Sequence, residues 1–391
     1  MSWKKSLPNG MRDRLFREAY GSAALEAEIM EVLKKRGYQR IETPSIEFED
    51  VFNVVANQDN LYRFYDGQGR TQVLRPDMTL PIGRVIATTG VQLPLQLAYS
   101  GKIFRDGRQL EGMRNELTQI GIEIVGYPSI KAELECLLAS YSVMQAMQIS
   151  HVHFELGHAA IVPVIEAELN FSVEDKQALR QALSEKNIST VAKFVEGHPS
   201  EYDAFLKALP MLFGDIDKTL EKAQKLLPRV TPILQLLTDL QTLAGYLTQV
   251  TAEFPITVDL GTVAKKDYYT GIIFNAYGAG IAEDFLSGGR YDRLLEKFEM
   301  EPTAAVGVAL NLDALIEAQY ELGILPKQAQ VNRLIFTTVE TFCEAQQLIT
   351  ETTRLALFDT LAETKAYAKR WQIPEILVIT ELGQELIKVG E

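Results

Sequence analysis

The sequence predicts an α+β fold in which an antiparallel sheet is flanked by helices, interrupted by a helical insertion and followed by a small α/β domain. Three observations lead there. Alternating runs at 61–75 and 93–126, each broken by a polar turn, read as β-hairpins. Residues from about 171 to 253 form one stretch rich in Leu, Ala, Lys and Glu without a strand signal. Beyond Leu325-Pro326, residues 331–391 alternate strand, helix, strand, helix, strand. The chain has 391 residues, 47% of them hydrophobic and 23% charged, enough for a sizeable core in two or three domains. The expected division is a first domain over 1–325, carrying the insertion at about 171–253, and a second over 326–391.

The elements follow in order. Residues 11–36 read as one amphipathic helix, with Phe16, Ala19, Ala23, Ala27 and Met30 recurring at three- and four-residue steps and Gly37 at the C-cap. QRIETPSIEFED is an extended segment carrying Pro44, and LYRFYDGQGRTQVLR turns at Asp66-Gly67. In the longer hairpin, LPLQLAYSGKIFR and ELTQIGIEIVG are the strands and DGRQLEGM a mobile loop. Residues 129–148 read as a helix and HVHFELG as a short strand. After the insertion, PITVDLG, YYTGIIFNAYG and GIAEDFLSGG are strand-like, RYDRLLEKF is a short helix, AAVGVALNL a buried strand and DALIEAQYELG a further helix.

Composition excludes several function classes. The net charge of −13 disfavours a broad nucleic-acid or membrane footprint, since an acidic surface repels phosphates. Cys136 and Cys343, both in apolar helical contexts, read as reduced core thiols of a cytoplasmic protein. No run of about 18 apolar residues is present, and the start lacks the apolar stretch of a secretion signal. His151, His153 and His158 lie close together, but their spacing matches no metal template, so no metal is expected. Phosphate-loop and dinucleotide-binding fingerprints are absent, and no cofactor is implied.

The residues that point to chemistry are few. In ELTQIGIEIVG, Gln119, Gly121 and Glu123 share one strand face and Ile120, Ile122 and Ile124 the other. The isoleucines belong in a core. A Gln and a Glu with a Gly giving clearance between them read as the floor of a polar pocket, or else as a solvated sheet face. LRPDMT sets Asp77 and Thr79 side by side, if extended, near the cation Arg75; a solvated loop would use the same residues. DYYTG offers Asp267, Tyr268 and Tyr269, whose side chains diverge in a strand, one hydroxyl lining a cavity and one ring packing. In SGGRYD, Ser287, Gly288 and Gly289 allow either a close backbone approach or an ordinary tight turn.

In order and spacing, these pieces resemble the class II aminoacyl-tRNA synthetases, specifically the histidyl branch, over roughly residues 5–320. The Pro44 segment is similar to motif 1, FRDGRQLEGMRNELTQIGIEIVG to motif 2, and SGGRYD followed by AAVGVALNLDAL to motif 3. The resemblance implies a pocket for histidine. Asp77 and Thr79 stand where the family holds the α-amino group, Gln119 lies toward the carboxylate, and Glu123 and Tyr268 stand where the imidazole is read, with Tyr269 alongside. Arg105 matches the motif 2 arginine that grips the α-phosphate of ATP.

The other positions that need a cation have lost it. The family's own catalytic arginine aligns with Ala264, the motif 3 arginine with Ala314, and a second motif 2 arginine with Asn115. Adenylate formation builds anionic charge that needs fixed donors, and each loss costs about 10²–10³ in rate. Lys265 and Lys266 are close by, although a flexible point charge does not replace a bidentate guanidinium. The pattern resembles the regulatory subunits of ATP phosphoribosyltransferase, which keep the synthetase body without aminoacylation. What that implies is a non-catalytic protein of histidine biosynthesis that self-associates as a dimer. It would pair with a short-form ATP phosphoribosyltransferase catalytic subunit in a hetero-octamer, with histidine as effector. That family commonly carries Arg-Glu-Phe-Thr-Gln where this chain has Asn115-Glu116-Leu117-Thr118-Gln119. Residues 326–391 resemble a shortened anticodon-binding domain, but between 328 and 391 six basic residues face nine acidic ones, a poor grip on tRNA. An active histidyl-tRNA synthetase is the alternative, and a free-standing histidine sensor a third. The effector site is either this pocket or a subunit interface, and the insertion serves either packing or partner contact.

Overall fold

The computed structural model describes residues 3–53, 60–107, 114–149, 151–251, 254–264, 266–278, 281 and 285–390. Residues 108–113 of the expected mobile loop, and Lys265, lie outside that set. The chain forms two compact units, 1–325 and 326–391.

The first unit is built on a nine-stranded sheet. Its strands are β1 (Gln39–Arg40), β5 (Leu95–Phe104), β6 (Glu116–Val125), β7 (His153–His158), β8 (Phe213–Gly214), β9 (Ile256–Asp259), β10 (Ile272–Tyr277), β11 (Leu286–Arg290) and β12 (Ala305–Asn311), in the order β1-β5-β6-β12-β11-β10-β7-β9-β8. Two ladders, β1 with β5 and β7 with β9, are parallel, and the rest are antiparallel. A small second sheet joins β2 (Ile46–Phe48), β3 (Arg63–Tyr65) and β4 (Thr71–Leu74), the last two being the hairpin around Asp66-Gly67.

The two faces of β6 divide as their residue types require. Ile120, Ile122 and Ile124 are at most 1% exposed in the main core, beneath helices α1 (Phe16–Lys35), α3 (Lys131–Ala146) and α10 (Leu312–Glu321). On the other face, register sets Tyr99, Gly121, Ala309, Ser287 and Asn275 side by side across five strands. Next to them runs Leu97, Glu123, Gly307, Gly289 and Ile273.

Helix α1 corrects the sequence reading. Its first turn starts at Phe16, and the buried stripe is Gly21, Ser22, Leu25, Ile29 and Leu33. Phe16 is 87% exposed, and Ala19, Ala23 and Ala27 also face outward. Leu and Ile bury several times the apolar area of Ala, so their stripe wins the core. Gly37, at φ +91, ends the helix as expected, with the Gly37 and Tyr38 N–H groups returning to the Lys34 and Leu33 carbonyls.

The insertion is helical, comprising α5 (Val173–Ser184), α6 (Ile188–Gly197), α7 (Asp203–Ala208), α8 (Ile216–Leu226) and α9 (Ile233–Val250), preceded by α4 (Ile161–Glu168). Ser172, Asn187 and Asp215 cap α5, α6 and α8 by accepting the N–H three residues on. One element of the insertion escaped the sequence. The two-residue β8 pairs with β9 at the sheet edge, too short to carry an alternation. RYDRLLEKF holds only a short 3₁₀ turn, Leu295–Phe298, rather than a helix.

The second unit has a four-stranded sheet, β14 (Thr353–Leu355), β13 (Arg333–Thr337), β15 (Glu375–Thr380) and β16 (Gly383–Lys388), with helices α11 (Phe342–Gln346) and α12 (Leu361–Arg370). The first three strands run parallel, as crossover helices demand. The antiparallel β16 was not expected, because its residues are nearly all exposed and show no pattern. Cys136 is buried, but Cys343 is exposed and is not a core thiol.

Candidate ligand-binding site

Above the polar face of β6 lies a cavity of about 530 Å³, within the range of small-molecule pockets. All seven residues singled out from the sequence line it: Asp77, Thr79, Arg105, Gln119, Glu123, Tyr268 and Tyr269. They reach it from four parts of the chain. Gln119 and Glu123 stand on β6, and Arg105 follows β5 with its Nε donating to the Pro76 carbonyl at 3.0 Å. Thr79 opens helix α2 (Thr79–Thr89), and Asp77 just before it accepts the Leu80 N–H at 3.1 Å. LRPDMT is thus a helix entry and not extended. Arg75 belongs to the scaffold, its guanidinium donating to the carbonyls of Lys102, Thr43 and Pro44 and so tying the Pro44 segment to β5.

Glu123 is the centre of the floor and is 1% exposed. Thr79 Oγ1 donates to one carboxylate oxygen at 2.8 Å, and the Tyr291 hydroxyl donates to the other. Burial pushes the Glu123 carboxyl up to about 7; the Tyr291 and Thr79 hydrogen bonds hold it back, and the Asp77 charge adds to the rise. Gly307 faces Glu123 across the ladder, where a β-carbon would overlap the carboxylate. Gly121 likewise clears room for the Tyr99 hydroxyl, the clearance its place between Gln119 and Glu123 suggested. Gln119 Oε1 is buried with no hydrogen-bond partner.

DYYTG is a turn rather than a strand. The Tyr268 and Tyr269 side chains therefore do not diverge; their rings meet edge to face at 5.1 Å, and both line the cavity. Burial raises both hydroxyls above the ordinary tyrosine value, together with those of Tyr99 and Tyr291. Tyr99 and Tyr291 were missed from the sequence. Tyr99 points into the cavity because β5 and β6 pair Tyr99 with Gly121, and register is not readable from alternation alone.

The charge balance limits what the cavity accepts. Among its described lining residues the cations are Arg105 and Lys266, against the acids Asp77, Glu123 and Asp267. Lys266 Nζ lies 3.8 Å from Asp77 Oδ2, and burial lowers the ammonium below the ordinary lysine value. Ala264 lines the wall without a charge. Asn115 is buried away from it, donating to the Tyr62 hydroxyl at 2.6 Å and accepting the Gly107 N–H at 3.2 Å. The neighbouring Arg114 pairs with Asp313 at 3.1 Å, where Arg12 and Arg14 also converge, and with Glu317. Ala314 sits in the first turn of α10, its N–H capped by Asn311.

Of the clustered histidines, His151 is exposed and His158 buried. His158 is pushed down to about 4 by burial, and His153 Nε2 meets Thr257 Oγ1 at 2.6 Å. No group of three His, Cys, Asp or Glu side chains able to hold a metal occurs among the described residues. No helix among them is long and apolar enough to cross a membrane.

A mixed sheet flanked by helices, with a polar pocket on one face, defines a class II synthetase-like protein. The family model described as histidyl-tRNA synthetase matches residues 10–315. A solved histidyl-tRNA synthetase from Nostoc sp. PCC 7120 superposes with a TM-score of 0.77 at 18% identity, over 98% of this chain and 97% of that one. A structure from Bacillus halodurans C, described as an ATP phosphoribosyltransferase regulatory subunit/histidyl-tRNA synthetase, gives a TM-score of 0.81 at 28% identity, over 97% and 99%. The ATP phosphoribosyltransferase regulatory subunit of Listeria monocytogenes serotype 4b (strain F2365) is 45% identical over 390 residues, 99% of this chain and 98% of its own. The chain belongs to the family of ATP phosphoribosyltransferase regulatory subunits.

Proposed function

We propose that the chain is a non-catalytic regulatory subunit that assembles, as a dimer, with a short-form ATP phosphoribosyltransferase catalytic subunit into a hetero-octamer. It is required there for activity and for feedback inhibition by histidine in the first step of histidine biosynthesis. Histidine binds the cavity, its ammonium at Asp77 and Thr79 and its ring toward Glu123, Tyr268 and Tyr269. Effector affinity that differs between active and inhibited states then shifts the assembly toward inhibition.

One observation carries this reading. The groups that suit an amino acid with a basic ring are gathered in one cavity, while Ala264 stands in its wall where the family has a guanidinium. Among the described lining residues, three acids against two cations disfavour a triphosphate and suit a zwitterion bearing a basic ring. Two or three missing donors cost on the order of 10⁴ or more in adenylation rate. The acidic second unit is assigned no tRNA role.

Mixing the full chain with a purified short catalytic subunit, with and without histidine, tests the proposal. Activity should depend on this chain and fall with histidine. Robust ATP–pyrophosphate exchange by the chain alone would instead establish an active synthetase. Calorimetric titration of Glu123→Ala locates the effector: loss of histidine affinity is expected, and unchanged affinity would move the site to a subunit interface.

A further inference from the structure

The family's arginine at the position of Ala264 would face the carboxylate of a bound amino acid, and alanine leaves that end of the cavity without its cation. Two residues further on, the chain supplies another. Lys266 lines the same cavity, its side chain 38% exposed, and its ammonium stands 3.8 Å from the nearly buried Asp77 carboxylate. At that separation the pair forms no direct hydrogen bond. Gln119, which lines the same cavity, has its Oε1 buried without a hydrogen-bond partner.

An α-amino acid carries its ammonium and carboxylate on adjacent bonds to one carbon. Placed alongside the Asp77–Lys266 pair, it sets its ammonium against the Asp77 carboxylate and its carboxylate against the Lys266 ammonium, closing a ring of four alternating charges. With its amide turned over, Gln119 also donates to the ligand carboxylate, since the assignment of amide N and O follows the hydrogen-bond network.

We infer that Lys266 is the carboxylate anchor of the cavity, replacing from a different backbone position the cation lost at Ala264 and forming with Asp77 a clamp for the zwitterionic end of the ligand. This inference rests on the proposed binding of histidine in the cavity. It adds that this chain selects ligands with a free carboxylate through Lys266. A lysine is a single point charge, so the anchor tolerates small shifts in carboxylate angle that a bidentate guanidinium would not.

The test compares histidine with histidinol, in which a hydroxymethyl group replaces the carboxylate, by calorimetric titration of the full-length chain. The native protein should prefer histidine. Lys266→Met should weaken histidine by roughly tenfold, the value of one charge-assisted contact, and leave histidinol unchanged; Lys266→Arg should restore most of the preference. Equal weakening of both ligands would assign Lys266 a structural role and overturn the inference, as would unchanged histidine affinity in Lys266→Met. Native protein that binds neither ligand would instead overturn the underlying reading of the cavity, and this inference with it.

Discussion

Glu123 is a buried acid at the centre of the site. A carboxyl whose folded-state pKa is raised to about 7 from an unfolded value of 4.5 keeps its proton more tightly when folded. Its contribution to stability is therefore complete below the unfolded value and lost as pH rises through the folded one. Glu123→Gln removes this titration. The variant should gain thermal stability relative to the native chain between pH 5 and pH 8, by at most about 3 kcal/mol; a melting difference independent of pH would show that Glu123 is ionised throughout. Its neighbour Gly307 gives a second prediction at this scale. Gly307→Ala drives a β-carbon into the carboxylate and against the Ile122 carbonyl. It should destabilise the chain by about 1–3 kcal/mol in urea unfolding and abolish histidine binding. The polar floor itself was legible in the sequence, because a strand face follows parity. Gly307, Tyr99 and Tyr291 were not, because their roles depend on which strand lies opposite.

Elements reveal where pattern and packing part. The long strands β5 and β6 and both hairpins were legible because two-residue alternation and turn residues agreed there. Helix α1 was placed but turned the wrong way, since a regular alanine stripe lost to the bulkier Leu25, Ile29 and Leu33. The exposed strands β8 and β16 gave no pattern because neither buries a face. The insertion was read correctly as helical, yet nothing in its sequence told how it joins the sheet. Lys186, between α5 and α6, donates to both Asp259 oxygens at 2.6 and 2.5 Å. Asp259 in turn accepts the Gly261 N–H at 2.9 Å, at the start of the turn that continues through Ala264. Lys186→Met leaves Asp259 buried without its cation and should cost about 1–3 kcal/mol, less than for a fully buried pair because Lys186 is partly exposed. Hydrogen exchange should rise across 259–264 in the variant; protection unchanged there would mean the turn holds its shape unaided.

At the scale of the whole molecule, the first unit ends where its last buried side chain ends. Leu325 is 2% exposed and packs against Gly21, and its carbonyl accepts from Arg17 at 3.4 Å. A chain stopped after Leu325 should fold cooperatively, whereas one stopped at Ile324 should lose about 2 kcal/mol for the exposed leucine pocket. Circular-dichroism melting of the two fragments compares them directly, and equal midpoints would place the boundary earlier.

Asn115 also joins parts of the chain that lie far apart in sequence. Its N–H reaches the Gly10 carbonyl, its side chain spans Gly107 and Tyr62, and Gly10 lies against it so closely that any β-carbon there would overlap it. Asn115→Arg would set a longer, charged side chain where Gly10 and the Tyr62 hydroxyl now close on the carboxamide. Asn115 thus works as a latch that holds the segment around Gly10 against the entrance to β6.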